Sequence, residues 1–267
     1  MSIIIKKWVS NIIYLFKKSG SGQVNKQDCF RILLYHCIGA HDKKDRLNIK
    51  VSLENFYEQI KFLNKKGYNV LPLKDLVSRV RAKKSIPPKS IAITFDDGYS
   101  ENLVKILATL KQYNFTATFF ITTGYAIDKE NPKKRYWEFW DFLKPDELEK
   151  LLQSGNDIGS HSCSHSNLCI LPEESVKSEI LKSKCILQDM LSIEIDLFSY
   201  PHGKFNSIVK RIVENNGYQA ACSSIRGENN TDTDLFALKR IDINGQDGIF
   251  EFEKKLTGCY DWLDFIK

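Results

Sequence analysis

With 267 residues, 42% hydrophobic and 12% aromatic content, the chain has enough apolar side chain for one large domain or two small ones, which excludes a largely disordered protein. The formal charge of +6 is unevenly placed. Residues 1–26 hold Lys6, Lys7, Lys17, Lys18 and Lys26 and no acid, so the 39 basic residues less these five leave 34 against 33 acidic ones. That balance gives no reason to expect nucleic acid as a partner.

The chain opens on a basic amphipathic helix. Ile5, Trp8, Val9, Ile12 and Phe16 share one face at helical spacing, and Lys6, Lys7, Ser10, Asn11, Tyr14, Lys17 and Lys18 lie mostly opposite. Lys6 and Lys7 interrupt the apolar run and no small-residue cleavage site follows, so no cleavable signal peptide is expected, and about 20 clean apolar residues would be needed for a bilayer span. Residues 3–18 suit either peripheral association with a membrane surface or packing on the chain's own domain or a second subunit. Ser19-Gly20-Ser21-Gly22 reads as a flexible joint. The expected division is therefore residues 1–26, helix and joint, and a main domain over 27–267. The seven cysteines are scattered without a C-x-x-C pair, which fits reduced thiols serving as small buried hydrophobes. A cytoplasmic location, or a peripheral one on the inner membrane face, follows as the expectation.

From residue 30 onward short apolar runs alternate with helix-period segments, the pattern of a βα fold with a mainly parallel sheet. Strands are expected over 31–35, 68–71, 90–95, 116–121, 157–159, 196–199, 218–222 and 238–243. Ser52-Leu53-Glu54-Asn55 caps a helix that stops at Gly67, and further helices are expected over 73–81, 100–114, 145–154, 172–191, 205–216 and 249–263. Seven or eight βα units in one composition regime favour a closed or nearly closed α/β barrel over a doubly wound open sheet.

In such a barrel functional groups gather at the C-terminal ends of strands. Three of those ends are loaded: 90–95 delivers Asp96-Asp97-Gly98, 157–159 delivers His161 and His165, and 31–35 delivers His36. Two adjacent carboxylates at the end of an apolar strand are costly to desolvate together without a cation beside them. Neighbours on a strand point to opposite sides, so one could bind a metal while the other stays free as a base; taken alone, Asp-Asp-Gly also suits a plain turn. Imidazoles four residues apart, with a carboxylate, suit a hydrolytic transition-metal site with an open position. The aromatic run Tyr136-Trp137-Glu138-Phe139-Trp140 suits sugar stacking or a core, and His41 lies in a charged loop where solvation is expected.

These residues carry a resemblance. Thr94-Phe95-Asp96-Asp97-Gly98-Tyr99, then His161-Ser162-Cys163-Ser164-His165 with Leu168, and Phe198-Ser199-Tyr200-Pro201-His202-Gly203 resemble the three motifs of the polysaccharide deacetylase family of carbohydrate esterases. Tyr35-His36 and Val51-Ser52-Leu53-Glu54-Asn55-Phe56 are similar to its poly-N-acetylglucosamine branch. The resemblance spans roughly residues 30 to 245 and implies a deformed (β/α) barrel and hydrolysis of an N-acetyl group from an amino sugar of an envelope polysaccharide, oligosaccharide or lipid-linked intermediate. It implies one divalent metal, usually Zn2+, with Co2+, Ni2+ or Mn2+ as substitutes, on Asp97, His161 and His165. It further implies Asp96 as base, His36 as acid, and the Tyr200-Pro201-His202 turn, through the His202 backbone N–H, as oxyanion and substrate contact. Ser199 stands where many members have an arginine that holds the base, and Arg240 is the candidate to supply that charge. A metal-dependent amidohydrolase or deformylase on a non-polymeric substrate is the alternative.

Overall fold

The computed structural model describes residues 3–19, 28–40, 45, 47–127 and 140–266. The joint at 20–22, His41 and the aromatic residues 136–139 lie outside them. Helix α1 (Ile3–Ser19) precedes β1 (Cys29–Tyr35), and β2 (Cys37–Ile38) pairs in parallel with β3 (Lys50–Val51). Helix α2 (Leu53–Lys65) starts where expected, the Ser52 hydroxyl accepting from the Asn55 N–H at 3.1 Å. Short β4 (Asn69–Val70) and α3 (Leu73–Arg81) lead to β5 (Ser90–Phe95), which is buried on both faces like a central parallel strand.

Then come α4 (Leu103–Gln112), β6 (Thr118–Ile121), α5 (Thr123–Ile127) and α6 (Pro145–Gln153). They are followed by β7 (Asp157–Ser160), α7 (Glu173–Leu191), β8 (Leu197–Ser199), α8 (Ser207–Asn215) and β9 (Ala220–Cys222). Between α6 and β7, Gly155 takes a φ of +78 that a side-chain-bearing residue would resist, so the helix stops and the chain turns back to the sheet. Short β10 (Asn229–Asn230) and β11 (Ile241–Asp242) precede α9 (Ile249–Leu256).

Strands β1, β5, β6, β7, β8 and β9 pair in parallel in that order. The sheet curls so far that one segment reaches both edges: Leu238 bridges Cys222 of β9, and β11 pairs in parallel with β1. This is the deformed α/β barrel the sequence implies, closed by a single stave over residues 238–242. The expected strand 238–243 is correspondingly cut to two residues, because its first half bonds to β9 and its second to β1.

Among the helices, the largest differences from expectation are the start of α4 and the end of α9. Asn102 adopts φ 58, so α4 begins after it instead of at Ser100, and Gly258 at φ 73 ends the last helix early.

Strand parity sorts the core. Alternate residues Phe30, Ile32, Ala92, Phe120, Leu197 and Leu238 face the barrel interior, while Leu33, Ile91, Ile93, Phe95 and Phe119 pack outward under the helices. Helix α3 adds Leu73, Leu76, Val77 and Val80 to the interior cluster. Its Arg81 bonds the Gln219 carbonyl and its Lys74 pairs with Asp157, both at strand beginnings, so α3 plugs the N-terminal mouth. The opposite mouth is left for chemistry.

Helix α1 lies against α9 by its polar side. Ser10 and Tyr14 are buried, the Tyr14 hydroxyl donates to Glu253 at 2.9 Å, and Lys254 Nζ reaches Asn11 Oδ1 at 2.8 Å. The helix packs on its own domain, one of the arrangements expected for it, but with its apolar side outward: Trp8 and Leu15 are each 64% exposed. Among the described residues no helix is long and apolar enough to cross a membrane. The seven cysteines are free thiols; Cys37, Cys222 and Cys259 are buried, whereas Cys185 is exposed.

Candidate active site

A cleft of about 410 Å³ opens at the C-terminal ends of the strands, and Asp96, Asp97, His161, His165, His36 and His202 all line it. Asp96 follows β5 on the interior parity of Ala92 and Thr94. Arg240 projects from the closing stave, Nη1 donating to Asp96 Oδ1 at 2.8 Å and Nη2 to Oδ2 at 2.7 Å. The Ser199 hydroxyl donates to the same Oδ2 at 2.9 Å and accepts from Arg240 Nη2 at 2.9 Å. Both charged groups are essentially without solvent contact. Burial by itself raises the Asp96 pKa, but the Arg240 charge, then His161, hold it below the usual carboxylate value; Arg240 is raised in turn, burial being outweighed by Asp96.

Asp97 corrects the expectation that adjacent aspartates diverge. The strand ends at Phe95, and Asp97 takes φ 73, so pleat alternation no longer applies and both carboxylates meet in one cleft. Asp97 Oδ1 lies 3.4 Å from His161 Nε2 and 3.1 Å from His165 Nε2. His161 Nδ1 sits 2.7 Å from the Ser199 carbonyl, which can only accept, so Nδ1 carries the proton and Nε2 presents a lone pair to the cleft. Asp97 Oδ1 is buried with no hydrogen-bond donor. Burial raises the Asp97 pKa, but His165 and His161 overcome it and hold the carboxyl well below its usual range.

Buried acceptors converging on one point without a donor are costly unless a cation sits among them. Zinc bonds of about 2.05 Å in a tetrahedron set donor atoms about 3.3 Å apart, close to the 3.4 and 3.1 Å from Asp97 Oδ1 to the two histidines. Asp97, His161 and His165, with ligand atoms all within 4.8 Å of one another, are the group that could hold a metal among the described residues.

The loop bearing the histidines is fixed by a residue the sequence did not point to. Glu179 of α7 accepts from the Cys163 N–H at 3.0 Å, the Ser164 N–H at 2.8 Å and the Ser164 hydroxyl at 2.7 Å. A carboxylate beside Val176 and Ile180, on the buried face of a helix, was the available signal. Gly159 of β7 gives room in the barrel: a Cβ there would lie 2.6 Å from the Phe120 ring.

Of the expected oxyanion turn, His202 lines the cleft with φ 58, its ring edge-on to His165 at 4.5 Å. Burial, then the neighbouring His165 and His161, push its pKa down. Tyr200 and Pro201 add no side chain to the wall: the Tyr200 ring stacks on Phe205 and its hydroxyl donates to the Phe236 carbonyl at 3.0 Å. Arg226 and Asp242, an ion pair at 2.8 Å, also line the cleft and were not singled out; Asp242 shares the inward parity of Arg240, the signal that marks it. Trp140, the described end of the aromatic run, packs on Tyr99 at 4.7 Å and does not line the cleft.

A curled parallel barrel with an Asp–His–His group and a buried Arg–Asp pair at its C-terminal mouth defines a hydrolase site of the α/β barrel class. Sequence comparison carries this further: the polysaccharide deacetylase family profile matches residues 83–221, more than half the chain, and the chain belongs to that family of carbohydrate N-deacetylases. It is 28% identical over 213 residues to the Bacillus subtilis protein YxkH, whose name assigns it to the polysaccharide deacetylases, covering 80% of this chain and 71% of that one. It is 32% identical over 115 residues, 43% of its length, to a peptidoglycan-N-acetylglucosamine deacetylase of Bacillus cereus, of which it spans 36%. Among solved structures, the Streptococcus pyogenes deacetylase PplD in complex with acetate superposes with a TM-score of 0.76 at 20% identity, over 86% of this chain and 99% of that one. IcaB from Ammonifex degensii superposes at 0.74 and 18% identity over 87% and 97%. These two likenesses speak to the fold.

Proposed function

We propose that the chain is a metal-dependent hydrolase that removes the N-acetyl group from an N-acetylated hexosamine of a cell-envelope polysaccharide, oligosaccharide or lipid-linked sugar. The observation that carries the proposal is the convergence of the donorless Asp97 Oδ1 with His161 Nε2 and His165 Nε2 beside a second, arginine-held carboxylate. The substrate in the Bacillus cereus relative's name points the same way.

Asp97, His161 and His165 would hold Zn2+ or a similar divalent ion, which would supply Lewis-acid chemistry toward water and an amide carbonyl. Asp96 takes the proton of the attacking water. Its lowered pKa keeps it ionised at neutral pH and makes it a weak base, which suits it to accept only from acidified water. Arg240 and Ser199 lock its orientation. The His202 backbone N–H serves the developing oxyanion, and His36, in the same cleft, protonates the leaving amine, without which an amine departs poorly.

The test is acetate or formate release from chitooligomers, lipid-linked N-acetylhexosamines and small formamides, with elemental analysis of the protein. Asp97→Ala or a chelator is expected to abolish acetate release, with one transition metal bound per chain. Full activity after removal of both His161 and His165 would refute the assignment, and turnover of formamides alone would favour the non-polymeric amidohydrolase.

A further inference from the structure

Helix α1 docks in the opposite sense to an ordinary amphipathic helix on a globular domain. Its polar side makes the contacts: Ser10, Asn11 and Tyr14 engage Lys254, Glu253 and the Phe250 ring, and Lys17 Nζ donates to the Thr257 carbonyl at 2.5 Å. Its apolar side looks out, with Trp8 and Leu15, one above the other at seven residues' spacing, each 64% exposed. Burying an apolar stripe is normally what binds a helix to its domain. Here specific hydrogen bonds hold α1 in place, and the stripe is left for something else.

Charge selects the occupant. Lys6, Lys7, Lys17 and Lys18 lie on α1 and no acid does, so this one helix holds most of the chain's formal excess of +6. A second copy of the chain laid stripe to stripe would bring two such lysine sets together without a counter-charge. A surface of anionic lipid headgroups offers both an apolar boundary for Trp8 and Leu15 and the negative potential for Lys6, Lys7 and Lys18, whose four-carbon stems let the ammonium groups reach headgroup level.

We infer that α1 is an interfacial helix whose Trp8 and Leu15 side enters the headgroup boundary of an anionic lipid surface while its Ser10 and Tyr14 side stays bound to α9. The helix lies in the plane of that surface and does not span it. The inference stands apart from the deacetylase reading, since lipid binding needs no turnover.

The experiment is co-sedimentation of the full chain with phosphatidylcholine vesicles, with and without phosphatidylglycerol. Binding is expected with phosphatidylglycerol and is expected to fall with added salt. W8E/L15E should weaken it roughly a hundredfold, with circular dichroism and acetate release from a soluble chitooligomer unchanged. K7Q/K18Q should weaken it about fivefold per lysine, a second measure that leaves the stripe intact. Equal sedimentation with and without phosphatidylglycerol, or unchanged binding by both variants, would overturn the inference. So would light scattering that finds a dimer which W8E/L15E converts to a monomer, because the stripe would then face a second copy.

Discussion

Replacing Arg240 by methionine roughly keeps side-chain volume but removes the guanidinium that Asp96 meets at 2.8 and 2.7 Å. The Ser199 hydroxyl alone then donates to a carboxylate shut away from solvent. Removing one partner of a buried ion pair costs about 3–5 kcal/mol because the other charge is left uncompensated. For a chain of this size that corresponds to a Tm lower by on the order of 10 °C.

The pH dependence follows from the sign of the shift. In the intact protein the Asp96 pKa is lowered, so its pairing adds stability above pH about 4, lost as the pH falls through the folded-state value. In R240M burial prevails and the folded-state pKa rises above the unfolded one. The variant is then destabilised at neutral pH, and its deficit shrinks as the pH falls through the raised value. The base is also protonated at a higher pH, so the acid limb of the kcat/KM profile moves upward. Thermal unfolding at pH 7 and pH 5, with acetate release across pH, reads both effects, and R240K, which keeps charge but not the two-pronged geometry, should fall between. An equal loss of Tm at both pH values together with an unmoved acid limb would refute the reasoning.

His36→Ala is expected to lower kcat by about 10²- to 10⁴-fold with metal content unchanged, read by kinetics beside elemental analysis; lost metal would instead make His36 part of the binding site. Glu179→Gln keeps the side-chain shape but weakens the three bonds to the 163–164 loop, so metal affinity by chelator competition should fall about 10- to 100-fold while the fold persists. Gly159→Ala forces a Cβ to 2.6 Å from the Phe120 ring and should lower the stability measured in denaturant by about 1–3 kcal/mol.

The barrel and the heart of the cleft were legible because their signals are local. Apolar runs bounded by helix stops mark the strands, and Asp96-Asp97 and His161-x-x-x-His165 are contiguous motifs at strand ends. Arg240 could be anticipated because it lies on a late apolar segment whose even positions face inward, yet its bond to Asp96 joins residues 144 apart in sequence. The roles of Ser199, Glu179 and Arg226 follow from no sequence spacing, since each acts on a group that proximity in the fold alone brings near.

Two orientations mark the boundary between sequence and structure. Alternation along a strand predicts that Asp96 and Asp97 diverge; the φ of 73 at Asp97, imposed where the strand turns into its loop, brings both carboxylates to one cleft. The spacing of Ile5, Trp8, Val9, Ile12 and Phe16 against the lysines determined that α1 is amphipathic, with one apolar and one basic face. Which face meets the domain was decided by the tertiary structure, because buried partners on α9, Lys254 above all, satisfy the polar side of α1 and turn its apolar side outward.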